Sequence, residues 1–445
     1  MVRQRGYPST GLMELNTVLW SGLPFKLVTR VLSFLSVPEL CRYSVVCKKW
    51  NELIHTREFG VQCAQNARKG DLSIMLLRFQ KVIPIDDPSP EPIGGWAILD
   101  FTTERWYRVE DNPRHDKYVL YPGVFAMGGG LVCQNRAMNN ETWTNKEGNE
   151  VVVYNPISKT EKLLPIAPAH GASTSLPYLH LVVDDSTLSF KVFLINHSFD
   201  ASEFFEDPEY SQEDRLIVLN DPWVHLYDST TDDWKSLTNP SCIQRVISDE
   251  ISTVFFQGFL YMFVGSRFND AERRPVWRYS LANDTWENVD VEIPGGIDSP
   301  RLIVCANRLF FASWIQDKVV YCSISGIQRF CSFQVSEITV TDNKMTSLFR
   351  MANRDVKEFF DLAIEEDETY DLLMFGLGNS LLFISADSRK SMAFDLRKRK
   401  WVPGPPVSSD HISMSEIIWD GNPRVCESLW RGTSMNLILP NSTPW

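Results

Sequence analysis

The chain has 445 residues, of which 44% are hydrophobic, with 44 basic and 56 acidic side chains and a formal net charge of −12. This length allows a small domain followed by one large or two medium domains. A chain with this acidic balance repels phosphates overall, so the composition does not support direct nucleic-acid binding.

No apolar run of the signal-peptide type occurs at the start, and the longest apolar stretch, near residues 253–264, is too short and interrupted to span a bilayer. The nine cysteines are scattered, odd in number and never spaced Cys-x-x-Cys. We therefore expect reduced thiols, no membrane association, and a location in the cytoplasm or nucleus.

Residues 23–59 hold an unusual density of apolar side chains. Leu27, Val31 and Leu35 recur at four-residue spacing, which predicts a short helix with one apolar face. A capping box at Ser36 to Glu39 predicts a second helix, and a third is expected from about Val45. A segment below about 70 residues cannot enclose so many apolar groups alone, so part of this surface must contact another protein.

The run from Leu23-Pro24 to Val46-Cys47-Lys48-Lys49-Trp50 resembles an F-box. F-boxes bind the adaptor Skp1 and, through it, the cullin and RING subunits of a ubiquitin ligase. The resemblance assigns the adaptor contact to Leu23, Pro24, Leu27, Val31, Leu32, Leu35, Pro38, Leu40, Val46, Cys47 and Trp50. The alternative is an ordinary helical cap packed on the downstream domain.

A repeat follows this segment: an aromatic or apolar residue, then Asp or Ser, then a tryptophan six positions later. The copies are Leu99-Asp100…Trp106, Tyr227-Asp228…Trp234, Tyr279-Ser280…Trp286 and Phe394-Asp395…Trp401. A polar run separates each pair, which predicts strand, turn and strand. The 52-residue step from Trp234 to Trp286 leaves room for two degenerate copies, at 152–163 and 320–333.

A glycine or turn residue followed by an apolar strand precedes most of these hairpins, as at Gly258, Asn307 and Gly378. A period of about 50 residues with four short strands per unit is typical of kelch repeats. Such sheets stack radially into a β-propeller, in which the aromatic residues of each blade pack against the next blade. We expect residues 411–419 to supply the strand that closes the ring.

Nearly the full chain therefore resembles the plant F-box/kelch-repeat proteins. This implies a small all-α F-box domain followed by an all-β, six-bladed, kelch-type β-propeller. The expected boundaries are a tail at 1–16, the F-box domain at 17–62, a connector at 63–92 and the propeller at 93–445. The residues expected to be structural in the propeller are Asp100, Trp106, Asp228, Trp234, Ser280, Trp286, Asp395 and Trp401.

Catalytic signals are absent from the sequence. The seven histidines are isolated, without His-x-His or His-x-x-x-His pairs, and neither a nucleophile elbow nor a phosphate-binding glycine loop occurs. Ligands from distant strands can still converge in a fold. We expect a non-catalytic protein without metal or cofactor.

The leading hypothesis is a substrate receptor: the F-box binds Skp1, and one propeller face binds an unidentified protein for ubiquitination. The alternative is a stoichiometric interaction protein, such as a transcriptional co-regulator, that uses the propeller as a scaffold. The loops 136–150, 198–214 and 266–274 are candidates for target contact. The basic cluster Arg397 to Lys400 has the composition of a nuclear-localisation or nucleic-acid motif, but its place in a repeat favours an exposed hairpin turn.

Overall fold

The computed structural model describes residues 22–35, 37–66, 74–80, 94–100, 105–110, 125–128, 131–135, 150–155, 161–168, 178–184, 187, 189–195, 224–238, 250–265, 276–322, 326–360, 372–385, 390–404 and 429–430. Within these ranges the chain forms an N-terminal helical region, residues 22–66, and a larger region of antiparallel β-sheets.

Four short helices make up the helical region: α1 (Phe25–Leu32), α2 (Val37–Ser44), α3 (Lys48–Ile54) and α4 (Arg57–Asn66). Pro24 precedes α1, and its carbonyl accepts hydrogen bonds from the amides of Leu27 and Val28 at 2.8 and 3.2 Å. The sequence predicted three helices and missed α4. The third begins at Lys48 rather than Val45, because Val45 and Val46 form a turn. The predicted capping box depends on Ser36, which lies outside the described residues.

A small core lies inside the helical region. Its buried apolar residues are Val28, Leu32, Leu40, Ile54, Phe59 and Cys63. The side-chain amide of Asn66 donates to the hydroxyl of Ser33 at 2.5 Å, which links the end of α4 to the end of α1. The fourth helix therefore completes this core.

The described strands form six four-stranded antiparallel sheets. Sheet 1 contains β1 (Ile74–Gln80), β2 (Gly94–Asp100), β3 (Arg105–Glu110) and β24 (Leu429–Trp430). Sheet 2 contains β4 (Phe125–Gly128), β5 (Leu131–Asn135), β6 (Val151–Tyr154) and β7 (Glu161–Leu163). Sheet 3 contains β8 (Tyr178–Val183), β9 (Phe190–Ile195), β10 (Val224–Asp228) and β11 (Asp233–Ser236).

The remaining sheets follow the same order along the chain. Sheet 4 contains β12 (Glu250–Phe256), β13 (Phe259–Gly265), β14 (Val276–Ser280) and β15 (Thr285–Val289). Sheet 5 contains β16 (Ile297–Cys305), β17 (Arg308–Cys322), β18 (Gly326–Thr339) and β19 (Lys344–Ala352). Sheet 6 contains β20 (Leu372–Leu377), β21 (Ser380–Ser385), β22 (Ser391–Asp395) and β23 (Lys400–Pro403).

Sheets 2 to 6 are simple meanders, whereas sheet 1 joins distant parts of the chain. Its first strand is β24, and the register places Trp430 opposite Ile74 and Leu429 opposite Met75. A strand near the C terminus thus completes a sheet that begins after the helical region. The strand predicted at 411–419 lies outside the described residues.

The repeated tryptophans occupy equivalent places in the outer hairpins, formed by the last two strands of a sheet. Trp234 lies opposite Tyr227, Trp286 opposite Tyr279, Trp401 opposite Phe394 and Trp106 opposite Leu99. The ring centroids of the first three pairs are 5.5, 5.1 and 5.3 Å apart. The predicted strand–turn–strand units are confirmed at the last three positions of the repeat, those with Trp234, Trp286 and Trp401. At Trp106 the two strands pair as predicted, and residues 101–104 between them lie outside the described residues.

In three of the repeats the Asp or Ser stabilises the hairpin turn. The Asp395 carboxylate accepts the amides of Arg397 and Lys398, both at 2.9 Å. The Asp228 carboxylate accepts the Thr230 amide at 2.9 Å, and the Ser280 hydroxyl accepts the Asn283 amide at 3.2 Å. Asp and Ser therefore recur because their short side chains satisfy turn amides.

Of the two degenerate copies, one was predicted correctly and the other was not. Residues 152–163 form the outer hairpin of sheet 2, between β6 and β7. The stretch 320–333 instead joins the second and third strands of sheet 5, whose outer hairpin is β18–β19. There Met345 lies opposite Ile338, the positions that Trp234 and Tyr227 hold in sheet 3. Because this hairpin lacks the tryptophan, the repeat pattern could not identify it.

Apolar side chains are buried between successive sheets. One cluster joins sheets 2 and 3, and others join sheets 3 and 4, 4 and 5, and 5 and 6. The indole N–H of Trp234 donates to the Pro165 carbonyl, just after sheet 2, at 2.8 Å. The tryptophan thus packs toward the preceding sheet, which differs from the prediction. Other aromatic residues do pack against the next sheet as predicted, as Phe263 of sheet 4 does on Phe311 of sheet 5, with ring centroids 5.3 Å apart. Helix α5 (Asn353–Phe360) adds Val356 and Phe360 to the cluster between sheets 5 and 6.

Candidate functional site

Exposed apolar side chains concentrate in the helical region. Among the described residues, the large hydrophobic side chains that are exposed are Phe25, Leu27, Val31, Phe34, Val45, Val46, Leu163 and Ile166. The first six fall between residues 25 and 46, and the last two lie at the edge of sheet 2. This apolar surface on α1 and the α2–α3 turn is the candidate site.

Helix α1 divides its apolar residues between two faces. Val28 and Leu32, four positions apart, are buried in the helical core, while Leu27 and Val31, also four apart, are exposed. Side chains at this spacing lie above one another on a helix. Leu27 is 48% exposed and Leu32 only 1%. Leu27 and Val31 therefore give the outer face of α1 apolar side chains that are exposed to solvent.

The turn between α2 and α3 extends this surface. Val45 is 84% exposed, and the Val46 amide donates to the Tyr43 carbonyl at 3.1 Å. Cys47 follows in extended conformation as the N-terminal cap of α3. Trp50 packs edge-to-face on Tyr43, with ring centroids 5.9 Å apart. This contact fixes the orientation of the indole next to the exposed turn.

The structure separates the residues predicted to contact an adaptor into three groups. Pro24, Leu27, Val31, Val46 and Cys47 are exposed, while Leu23, Leu35 and Trp50 are half-buried. Leu32 and Leu40 are buried and act as core residues of the helical region. The side chain of Pro38 lies outside the described residues. Phe25, Phe34 and Val45 join the surface but were not predicted as contacts, because periodicity alone does not tell the inner face of a helix from its outer face.

Charged residues around this surface are mainly basic. The exposed bases in and beside α1, α2 and α3 are Lys26, Arg30, Arg42, Lys48 and Lys49, and the exposed acids are Glu39 and Glu52. An apolar centre with a charged rim is the usual composition of a protein–protein interface. This rim favours a partner with acidic side chains at its own edge.

The β region contains one enclosed group of titratable and hydroxyl side chains between sheets 3 and 4. The Thr253 hydroxyl lies 3.1 Å from the Tyr178 hydroxyl and 2.9 Å from Nδ1 of His180. His180 is half-buried, and desolvation lowers the pKa of its imidazole to about 4. At neutral pH this histidine is uncharged and serves as a packing and hydrogen-bonding residue.

Within the described ranges, no group of three or more His, Cys, Asp or Glu side chains is placed to hold a metal ion. In the same ranges, every helix is too short or too polar to cross a membrane.

Residues 20–62 match the F-box domain family. The chain carries an F-box domain. This domain lies near the N terminus and includes the candidate surface, and a β-rich region of antiparallel sheets follows it.

Relatives of known sequence agree with the F-box match. An F-box/kelch-repeat protein of Arabidopsis thaliana is 28% identical over 223 residues, covering 49% of this chain and 46% of the relative. A putative F-box protein of the same plant is 24% identical over 294 residues, covering 64% and 66%. The chain thus spans between about half and two thirds of these relatives. Together they support the plant F-box/kelch-repeat family that the sequence predicted.

The similarity to solved structures is low. The structure of YjhT is 14% identical, covers 70% of this chain and 91% of its own, and superimposes with a TM-score of 0.40.

Proposed function

We propose that the chain is the substrate-recognition subunit of a Skp1–cullin–F-box ubiquitin ligase. In this proposal the apolar surface of α1 and the α2–α3 turn binds a Skp1-type adaptor, which recruits the cullin and RING subunits. The observation that carries the proposal is the concentration of exposed apolar side chains within the F-box domain.

Burial of this surface supplies the driving force for binding. Removing apolar area from water contributes roughly 25 cal/mol per Å², and contiguous exposed apolar patches mark interaction sites. Leu27, Val31 and Val46 are exposed apolar members of this surface, and Phe25 and Phe34 add apolar area on α1 and just after it. Leu32 and Leu40 are buried and do not belong to it.

We further propose that the six sheets form one six-bladed propeller. Two observations support it: the first strands of sheets 2 to 6 lie next to one another in chain order, and β24 lies against both β20 and β4. Because β24 belongs to sheet 1, that sheet would close the ring between sheets 6 and 2. Sequence-distant strands in one blade would hold the ring shut without an exposed sheet edge.

The propeller would bind the target protein, while partner subunits would perform the ubiquitin transfer. In sheets 2, 3 and 4, the connections between the second and third strands contain the candidate loops 136–150, 198–214 and 266–274, which lie outside the described residues. All three connections join the second strand of a sheet to the third and therefore leave the sheets at the same end. Target binding would occur at this end of the sheets. Such a subunit acts without catalytic residues or a cofactor of its own, in the cytoplasm or nucleus.

The adaptor contact is tested by the double variant Leu27→Ala/Val31→Ala in the full chain. Truncating two interface residues should cost about 2 kcal/mol or more, which weakens capture of a Skp1-type adaptor roughly 30-fold. Both side chains are exposed, so the melting temperature should stay within about 2 °C of the wild type. The matched control is Leu163→Ala/Ile166→Ala, an exposed apolar pair outside the F-box domain, which should leave capture unchanged. Full adaptor binding by the first variant would refute the F-box contact.

The same variant separates degradation from a purely stoichiometric role. A receptor that binds its target but not the adaptor should protect the target, so target abundance should rise when Leu27→Ala/Val31→Ala is overexpressed. Target lifetime that responds neither to this variant nor to proteasome inhibition would instead support the interaction-protein alternative.

A further inference from the structure

The turn between β22 and β23 carries four consecutive basic residues, Arg397, Lys398, Arg399 and Lys400. All four are exposed. The Asp395 carboxylate accepts hydrogen bonds from the amides of Arg397 and Lys398, so a side chain of the same hairpin fixes the turn. The backbone thus presents four cationic side chains from a short, rigid hairpin.

The equivalent turns of sheets 3, 4 and 5, which the structure describes, are chemically different. Asp232, Asp284 and Asn343 occupy the position of Arg399, four residues after the Asp, Ser or Thr that starts each turn, and all four have positive φ, between 47° and 57°. Asp and Asn tolerate this left-handed conformation better than arginine does. Sheet 6 therefore has a basic residue at a position where local conformation favours Asp or Asn.

Two of these turns carry ion pairs between sheets. Lys162 of sheet 2 pairs with Asp232 of sheet 3 at 2.7 Å, and Lys235 of sheet 3 pairs with Asp284 of sheet 4. At the junction of sheets 5 and 6, Glu337 pairs instead with Arg308 of its own sheet. Arg308 is the main cause of the lowered pKa of Glu337, and the positive charge of Arg399 makes a smaller contribution.

The neighbours of Arg399 are not used in this way. Lys398 makes one ion pair, with Asp395 at 3.4 Å, and its side chain remains 66% exposed. Among the described residues, no carboxylate lies within 4 Å of the charged ends of Arg397 and Lys400. Within the described part of the chain, these two charges are therefore not neutralised by a carboxylate, although the chain as a whole carries a net charge of −12.

We propose that this basic turn, Arg397 to Lys400, binds a short acidic segment of a partner polypeptide. Four residues span at most about 14 Å, the reach of an equally short acidic peptide. A phosphate backbone is a poorer match, because sequence-independent binding to nucleic acid draws on about six to ten phosphate contacts, and this turn offers only two or three free cations. Long-range repulsion from the acidic chain also disfavours an extended polyanion.

The inference does not depend on adaptor binding, because the turn lies in sheet 6 and not in the F-box domain. The variant Leu27→Ala/Val31→Ala should bind acidic peptides as the wild type does. Failure of one proposal is thereby distinguishable from failure of the other.

The experiment measures fluorescence anisotropy of a labelled Glu-Gly octapeptide titrated with the full chain at low and physiological salt. The wild type should bind this peptide, prefer it to the neutral Gln-Gly octapeptide, and bind more weakly as salt rises. Arg397→Gln/Lys400→Gln should weaken binding at least fivefold. The conservative exchange Arg397→Lys/Lys400→Arg should retain most of it, which shows that the hairpin still folds.

Arg354→Gln/Lys357→Gln on α5 is the charge-matched control and should leave peptide binding unchanged. If this control weakened peptide binding equally, binding would depend on the net charge of the chain and not on the turn, and the proposal would be overturned. It would likewise be overturned by unaltered binding in Arg397→Gln/Lys400→Gln, or by no binding to the wild type. Tighter binding of a 12-nucleotide poly-dT probe, lost in the same variant, would assign the turn to nucleic acid instead.

Discussion

The helical region and the β region differ in how completely they bury their apolar side chains. In the β region, Leu131, Val192, Phe263 and Leu382 are all 0% exposed, because each sheet covers the next. In the helical region, six large apolar side chains stay exposed although the helices have a core of their own. Sheet stacking therefore completes burial within the chain, whereas four short helices cannot cover both sides of α1. The difference indicates where the chain needs a partner.

The most disruptive test of this comparison is Gly376→Ala. A Cβ at Gly376 of β20 would collide with the Val304 carbonyl and lie 2.8 Å from the Cβ of Cys305, so sheets 5 and 6 would have to separate. Overpacking of this kind commonly costs 1–3 kcal/mol and more where backbone blocks relief, and we expect a large drop in the urea unfolding midpoint. The control Gly295→Ala has open space and should change stability by less than about 1 kcal/mol. Equal stability of the two variants would contradict close packing of β20 on β16.

Trp401→Ala should have the next largest effect. Its ring lies 4.9 to 5.3 Å from the rings of Phe349, Phe359 and Phe394, between sheets 5 and 6 and α5. Removing such an aromatic side chain typically costs about 3–5 kcal/mol, reduced here because the indole is only half-buried. Phe34→Ala in the helical region should cost less than about 0.5 kcal/mol, since that side chain is already exposed. Chemical denaturation of both variants compares the two regions directly.

The β region should also show the stronger acid sensitivity. The pKa of His180 is about 4 in the folded protein and about 6.5 when unfolded. Because the folded-state value is the lower one, this contribution to stability is present above pH 6.5. It decreases as the pH falls toward 4, by up to about 1.4 kcal/mol per pH unit. Melting curves of His180→Gln should therefore depend less on pH in this window than those of the wild type.

The smallest effect is expected for Tyr227→Phe. The Tyr227 hydroxyl donates to Asp232 at 2.6 Å, and the same carboxylate pairs with Lys162 of the preceding sheet. Because the Asp232 side chain is 59% exposed, water replaces the lost donor, and the melting temperature should fall by no more than about 2 °C. Tyr279→Phe tests the equivalent bond to Asp284 in sheet 4. A large loss in either variant would show that these hydrogen bonds within the outer hairpins matter more than the apolar clusters.

The outer hairpins could be predicted from sequence because the information for them is local. Asp395 accepts amides two and three residues away, and Trp401 packs on the directly opposite Phe394. A residue pattern eight positions long therefore encodes a turn and its aromatic pair. The F-box domain was likewise recognisable, because its apolar residues and its Leu-Pro start lie within about forty positions.

What the sequence could not determine depends on contacts between distant residues. That Leu32 of α1 is buried while Leu27 is exposed depends on the tertiary fold and not on the helical periodicity. The fold also brings the charge of Arg399 near enough to Glu337 of sheet 5 to contribute to lowering its pKa. The pairing of β24 with β1 joins positions more than 350 residues apart, and two strand residues carry too little pattern to predict it. Local turn chemistry is thus set by neighbouring residues, whereas burial and sheet completion depend on which distant surfaces meet.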